Sequence, residues 1–220
     1  MNHTFKGLAA SLLAIASLAI ATPATATITT YSTLAAFNSA ASTNTTVDFS
    51  GNSFVGLNAA GSSLWNTNSS SGFSLNGATF SVAGGNHYEA IVAPAFSPSL
   101  YDRGTGNQLH AEYSQALTIT FDSAITALAF DLSSIFSRSG SVQVGFSNGD
   151  SATAILGDPY AFNGFVSSSA FNYIVINGIS GDYLMIDNVR FGSNDVPEPG
   201  SLALLGLAIA GLAAAKRKHA

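Results

Sequence analysis

From Leu117 onward the chain alternates apolar and polar residues. Leu117, Ile119 and Phe121 are separated by Thr118 and Thr120, and Leu128, Phe130 and Leu132 repeat the pattern after a short turn. Val142, Val144 and Phe146 form the next run. Asn148-Gly149-Asp150 closes it as a hairpin signal, and Thr153 and Ile155 start the return strand. Tyr173 to Ile176 and Leu184 to Phe191 complete the series. A period of two is the mark of strands with one buried face. Upstream, Thr45 to Phe49 and Ala78 to Val82 also read as strands, and Leu34 and Phe37 among alanines predict a short helix within Tyr31 to Ala41. Asn52 to Gly72 is low in complexity and reads as a long loop, or as two short strands with loops. Ala83 to Gly106, with its glycines and prolines, reads as irregular.

The last strand breaks its own parity. Leu184 and Ile186 share one face, while Val189 and Phe191 share the other. Either a β-bulge at Asp187-Asn188 supplies the slip, or the strand is central and buried on both faces. Eight or more short strands with frequent turns and little helix predict an all-β fold, an antiparallel β-sandwich or barrel. No fixed internal period is present, which argues against a propeller or β-helix.

The two ends of the chain follow other rules. Lys6, the apolar run Leu8 to Ile20, the helix breaker Pro23 and the small residues Ala24-Thr25-Ala26 make a secretory signal peptide. Cleavage is expected near Thr27, with Ala19-Ile20-Ala21 as the competing site, so the route out runs through the Sec translocon and signal peptidase. At the other end, Val196-Pro197-Glu198-Pro199 cannot be helical, because each proline fixes φ and lacks an amide proton. Leu202 to Ala215 is wholly apolar and short for a span, about 21 Å as a helix against about 30 Å of hydrocarbon. Gly200 and Ser201 extend it, and the stems of Lys216, Arg217 and Lys218 reach toward the headgroups. An apolar helix with a basic stop predicts a membrane-engaged tail with its charges on the cytoplasmic side. The chain thus divides into a signal peptide over 1–26, one domain over 27–195 and a tail over 196–220.

These tail residues, in this order, resemble the PEP-CTERM sorting signal of Gram-negative bacteria. The resemblance implies processing by an exosortase, a membrane-embedded transpeptidase-like enzyme. It would cut near Pro197-Glu198-Pro199 and pass the protein to the cell surface or the exopolysaccharide matrix. Membrane attachment through the tail would then be transient. The domain also resembles the jelly-roll-like, carbohydrate-binding-like sandwiches that often precede this signal. The shared stretches are Val47-Asp48-Phe49-Ser50-Gly51, Gly77-Ala78-Thr79-Phe80, Leu117 to Phe121 and Met185 to Phe191. That resemblance implies a structural calcium held by Asp48 and Asp187, although the related domains carry a glutamate where Ser50 stands.

Charge narrows the functions further. Eleven of the twelve acidic residues but only three of the seven basic ones lie between Thr27 and Asp195, a net charge of −8 there with no lysine. Such a surface has no basic footprint for nucleic acid. Without cysteine, stability must come from packing rather than disulfides. Asp48 and Asp187 suit a hard cation, or equally strand-end turns. His87-Tyr88-Glu89 and His110-Ala111-Glu112 place each core histidine two residues from a glutamate, a pattern for metal or acid–base work or for an ordinary surface loop. Trp65, Tyr88, Tyr101 and Tyr160 lie in loop-like stretches, where aromatic rings stack on sugars or cap the core. No nucleophile elbow, zinc-protease helix or phosphate loop is present. The expected function is a non-enzymatic exported surface or matrix protein that binds exopolysaccharide. The alternative is a secreted polysaccharide hydrolase.

Overall fold

The structure, a computed structural model, describes residues 27–43, 45–49, 62–66, 72–82, 88–92, 107–111 and 114–193. The signal-peptide segment, Tyr101, and the sorting tail with its apolar run lie outside these residues. In chain order the elements are β1 (Ile28–Tyr31), α1 (Leu34–Ala40), β2 (Thr45–Val47), β3 (Ser62–Asn66), β4 (Phe73–Leu75), β5 (Ala78–Val82) and β6 (Tyr88–Val92). They continue with β7 (Gln108–Ala111), β8 (Leu117–Ser134), β9 (Gly140–Phe146), β10 (Ser151–Leu156), β11 (Ala161–Ile176) and β12 (Leu184–Gly192). Among the described residues no helix is long and apolar enough to cross a membrane.

Every strand pairing described is antiparallel, and two long strands turn the sheet into a sandwich. The first half of β8 (117–121) pairs with β5 on one side and with the end of β11 on the other. β9 and β10 follow beyond that end of β11. The second half of β8 (127–134) pairs instead with β12 and with the start of β11. β1 lies beyond β11 on that side; beyond β12, the order runs through β7 and β6 to β3. Each long strand therefore leaves one layer and enters the other, as in packings whose corners are made by strands that change sheets. The sequence reading split β8 in two at the exposed Asp122 and Ser123. Those residues look like a turn, but the chain stays extended as it rounds the corner.

The two inner faces close on a single apolar cluster. Phe146 of one layer meets Phe165 of the other edge-on at 5.6 Å, and Phe165 meets Phe130 at the same distance. Phe146 and Phe171 pack at 5.0 Å and Phe121 and Phe191 at 4.9 Å. Edge-on and tilted pairs at such spacings add attraction beyond the burial of their area.

Both readings of the last strand are met: β12 is a central strand with buried residues on both faces, and it carries the bulge. The register of β12 on β8 slips between Asp187 and Arg190, and Asn188 takes a left-handed φ of 50°. Asparagine is among the few non-glycine residues that visit this region readily. With the slip, Leu184 and Ile186 on one side of the bulge and Val189 and Phe191 on the other all reach the same core.

Five strands lie where the sequence pattern was silent or read as irregular: β1, β4, β6, β7 and the first half of β11 (161–166). In the last of these, Asn163 and Gly164 break the alternation, for reasons of packing. α1, whose N-cap Thr33 accepts the amide of Ala36 at 3.3 Å, lays Phe37 on Ala127 and Ala129, on the outer side of the sheet. A Cβ at Gly164 would come within 2.8 Å of the Phe37 ring and 3.0 Å of the Phe162 ring. Gly164→Ala is therefore expected to lower unfolding free energy by about 1–3 kcal/mol, the usual cost of overpacking. Urea denaturation checks it; an unchanged midpoint would show that Phe37 gives way freely.

Candidate functional site

The bulge also decides what the other face of β12 presents. Met185 and Asp187 alternate with Leu184 and Ile186, so they point away from the core, yet both are fully buried. The register extends their rows sideways. Ser133 of β8 and His110 of β7 flank Met185. Asp131 lies opposite Asp187, and continuing the β7 ladder by one residue brings Gln108 level with it. Gln108, His110 and Ser133 are buried as well. The outer face of β8, β12 and β7 is thus polar and covered.

Two loops are fastened to this face. The β10–β11 loop is held at Gly157, whose carbonyl accepts Ser133 Oγ at 2.7 Å, and at Tyr160, whose hydroxyl donates to Gln108 Oε1 at 2.6 Å. The β8–β9 loop is held by Asp182, which is 1% exposed. Its carboxylate accepts the amides of Phe136 at 3.0 Å, Ser137 at 2.8 Å and Tyr183 at 2.8 Å. This clamp sets out a line of rings. His110 stacks on Tyr183 at 5.0 Å and 12°, and Tyr183 meets Phe136 edge-on at 6.2 Å. Phe136 ends the line at 59% exposure.

The electrostatics follow from burial. Desolvation lowers the His110 pKa to about 4, against a smaller pull upward from Asp182, so the imidazole is neutral at physiological pH. Burial alone would push the Asp182 carboxyl up. The amides of Ser137, Phe136 and Tyr183, with the Ser137 hydroxyl, outweigh it and hold the group below its usual value.

Asp131 and Asp187 face each other across two strands, a spacing at which two carboxylates could in principle serve as the acid and nucleophile of a glycosidase. Their contacts are structural. Asn188 donates its amide to Asp187 Oδ1 at 2.7 Å and its side chain to Asp131 Oδ2 at 2.9 Å, so one residue binds both. Arg190 lies 3.9 Å from Asp131 and donates to the Asn188 carbonyl at 2.9 Å. Burial raises the Asp131 pKa, and Asn188 and Arg190 partly offset it. Asp187 is 0% exposed, so of the two carboxylates only Asp131 meets solvent.

The residues singled out from sequence are placed unevenly. Tyr160 belongs to the outer face. Trp65 and Tyr88 sit on strands rather than in loops, Trp65 opposite Glu89 and Tyr88 opposite Asn66, in the part of the sheet beyond β7. Tyr101 lies outside the described residues, as do His87 and Glu112. His110 is in the β7 ladder and not in irregular chain. Asp48 is exposed and follows Val47, which pairs with Val189, so it falls level with Asn188 beside buried Asp187. Among the described residues no three His, Asp or Glu side chains form a metal-holding group. The Asp187–Asn188 hydrogen bond gives Asp187 a role in the bulge. Sequence reasoning missed Phe136 and Tyr183. The available signal was a lone aromatic in each of two polar loops, Ser-Ser-Ile-Phe-Ser-Arg-Ser and Ser-Gly-Asp-Tyr.

Compared with known families, residues 195–218 match the PEP-CTERM protein-sorting motif, about a tenth of the chain. The chain therefore carries the signal of an exported protein that is membrane-anchored before exosortase cleavage. Compared with curated protein sequences, it has no match. Among solved structures it is similar to variants of the family 29 carbohydrate binding module CBM29-2. One lysine-to-alanine variant, complexed with cellulohexaose, is 16% identical, with 63% of this chain and 98% of that chain covered and a TM-score of 0.31. An aspartate-to-alanine variant complexed with mannohexaose is 18% identical, with 63% and 97% covered and a TM-score of 0.28. At such scores the likeness carries no ligand to this chain, and the sandwich is defined by its own topology.

The Asp182 clamp has a definite pH dependence. A carboxyl whose folded pKa is depressed stabilises the fold above its unfolded value of about 3.9 and loses that contribution as pH falls through the lower folded value. Asp182→Asn is expected to cost about 1–3 kcal/mol at pH 7, and the gap from the parent should close below about pH 4. Urea melts at pH 7 and pH 3 measure it; a gap independent of pH would remove the ionised clamp.

Proposed function

We propose that this chain is a non-enzymatic protein of the cell surface or extracellular matrix, sorted by an exosortase, whose sandwich binds polysaccharide through the β8–β9 loop that covers the outer face of β8, β12 and β7. The observation that carries the binding is Phe136. A large ring at 59% exposure is held in place by Tyr183, with the neutral His110 stacked beneath, while Asp182 fixes both loop backbones. Such a ring offers a flat apolar surface to the C–H face of a sugar, and the exposed polar loop groups around it suit its hydroxyls. The aromatic can be held ready because the clamp orders the loop before any ligand arrives, which reduces the ordering cost of binding. Tyr160, fastened to Gln108 on its loop, would extend the contact.

Affinity electrophoresis against neutral and acidic polysaccharides tests the binding, with cellulohexaose and mannohexaose as soluble probes. Phe136→Ser is expected to weaken binding about twofold to tenfold, the range that one stacking contact of about 0.5–1.5 kcal/mol gives. Retention of the parent affinity by the variant would reject this face.

The sorting half has its own test. In a host with an exosortase, the surface-extracted protein should begin near Thr27 and lack Leu202 to Ala220. Its intact mass shows this directly, and a surface species that retains Lys216 to His219 would overturn the processing.

A further inference from the structure

We propose that a cleft of about 200 Å³ between β1 and β10, apart from the Phe136–Tyr183 line, binds one neutral sugar residue. It is lined by the rings of Tyr31 and Phe162, by Ile155, and by the hydroxyl-bearing Thr30, Ser32 and Thr153. Phe37 of α1 braces both rings, with centroids 6.1 Å from Tyr31 and 5.9 Å from Phe162. The aromatic walls are therefore set before any ligand enters. Ile155 is 51% exposed, a large apolar side chain left at the mouth of the cleft.

The lining selects the chemistry of the ligand. Aromatic and aliphatic carbon beside three hydroxyl groups matches a pyranose, which has apolar C–H faces and a rim of hydroxyls. The volume is below the roughly 300–1,000 Å³ of sites for drug-sized ligands, so it suits one ring rather than several. No Asp, Glu, Lys, Arg or His lines the cleft. In a domain of net charge −8, a uronate or sulfated sugar would meet repulsion without a compensating cation.

An extended peptide is the obvious competitor, because β10 is an edge strand. The Asn163 side chain closes that edge. Its Oδ1 accepts the Ile155 amide at 2.7 Å and its Nδ2 donates to the Ile155 carbonyl at 2.9 Å, so at the mouth of the cleft the backbone groups that an added strand would use are taken. Asn163 is 4% exposed and also donates to the Ala161 carbonyl at 3.0 Å, which fixes it in this role.

The test is an amide chemical-shift titration of the full chain in a sugar-free detergent. The probes are the methyl glycosides of glucose, galactose and mannose, with methyl galacturonide as the anionic counterpart. The expected result is a set of shifts confined to Thr30, Thr153, Ile155 and their neighbours with at least one neutral glycoside. Ile155→Arg, a surface change, should weaken that binding at least about tenfold with an unchanged melting temperature, and Thr30→Val should weaken it severalfold. Phe136→Ser should leave it unaltered, so this site and the Phe136 face stand or fall separately. No shift at these residues with any neutral glycoside would overturn the assignment. So would tighter binding of the galacturonide, or parent affinity in Ile155→Arg.

Discussion

The structure depends on one parity constraint in its last strand. β12 lies beside β8 in the middle of a layer, and four of its large apolar residues fall on two different parities. Burying both pairs against one core requires an odd residue, and Asn188 is that residue. Its left-handed φ makes the slip, while its amide and side chain bind Asp187 and Asp131. Two carboxylates side by side on a covered face would otherwise repel each other. A single asparagine thus joins backbone geometry to charge: the bulge that completes the core also supplies donors for the acids beside it.

The same slip builds the outer face. Once β12 is in register, Met185 and Asp187 join Ser133, Asp131 and His110 in rows that loops can cover. The loops are held by polar contacts of high local density: Tyr160 on Gln108, Ser133 on Gly157, and three amides on Asp182. Charge-assisted bonds to backbone amides are among the stronger hydrogen bonds, and they are placed where a loop aromatic must be presented without wandering. The arrangement gives a buried histidine and a buried aspartate structural roles. The imidazole serves as a neutral stacking surface, and the carboxylate serves as an anchor.

Beyond the outer face, edges and termini follow the same economy. α1 covers one part of the sheet by setting Phe37 against Ala127, Ala129 and Gly164, which only small residues allow. Asn163 occupies the β10 edge at Ile155 by mimicking a neighbouring strand. An exported chain rich in exposed strand edges would otherwise be prone to pair with other chains. The acidic, lysine-free domain sits between two apolar terminal segments, and only the tail carries a cluster of basic residues.

Much of this was legible in the residues themselves. The period-two runs from Leu117 onward identified β9, β10, β12 and both halves of β8, because a half-buried strand cannot hide its alternation. Asn148-Gly149 named the hairpin, and the parity conflict at Asp187-Asn188 located the bulge as one of two solutions. The sorting tail was readable without any structure, since prolines, an apolar run and basic residues act by local chemistry alone. Tertiary structure decided the rest. Short strands such as β6 and β7 carry too few residues for a period to emerge, and their identity comes from hydrogen bonds to partners distant in sequence. Gly164 and Asn163 look like turn residues and are strand residues, because a ring from α1 and an edge of β10 press on them. Phe136 and Tyr183 come from loops 47 residues apart, and no local pattern records that Asp182 brings them together. Local sequence encodes which residues face inward; only the closed fold determines which loops meet on the outside.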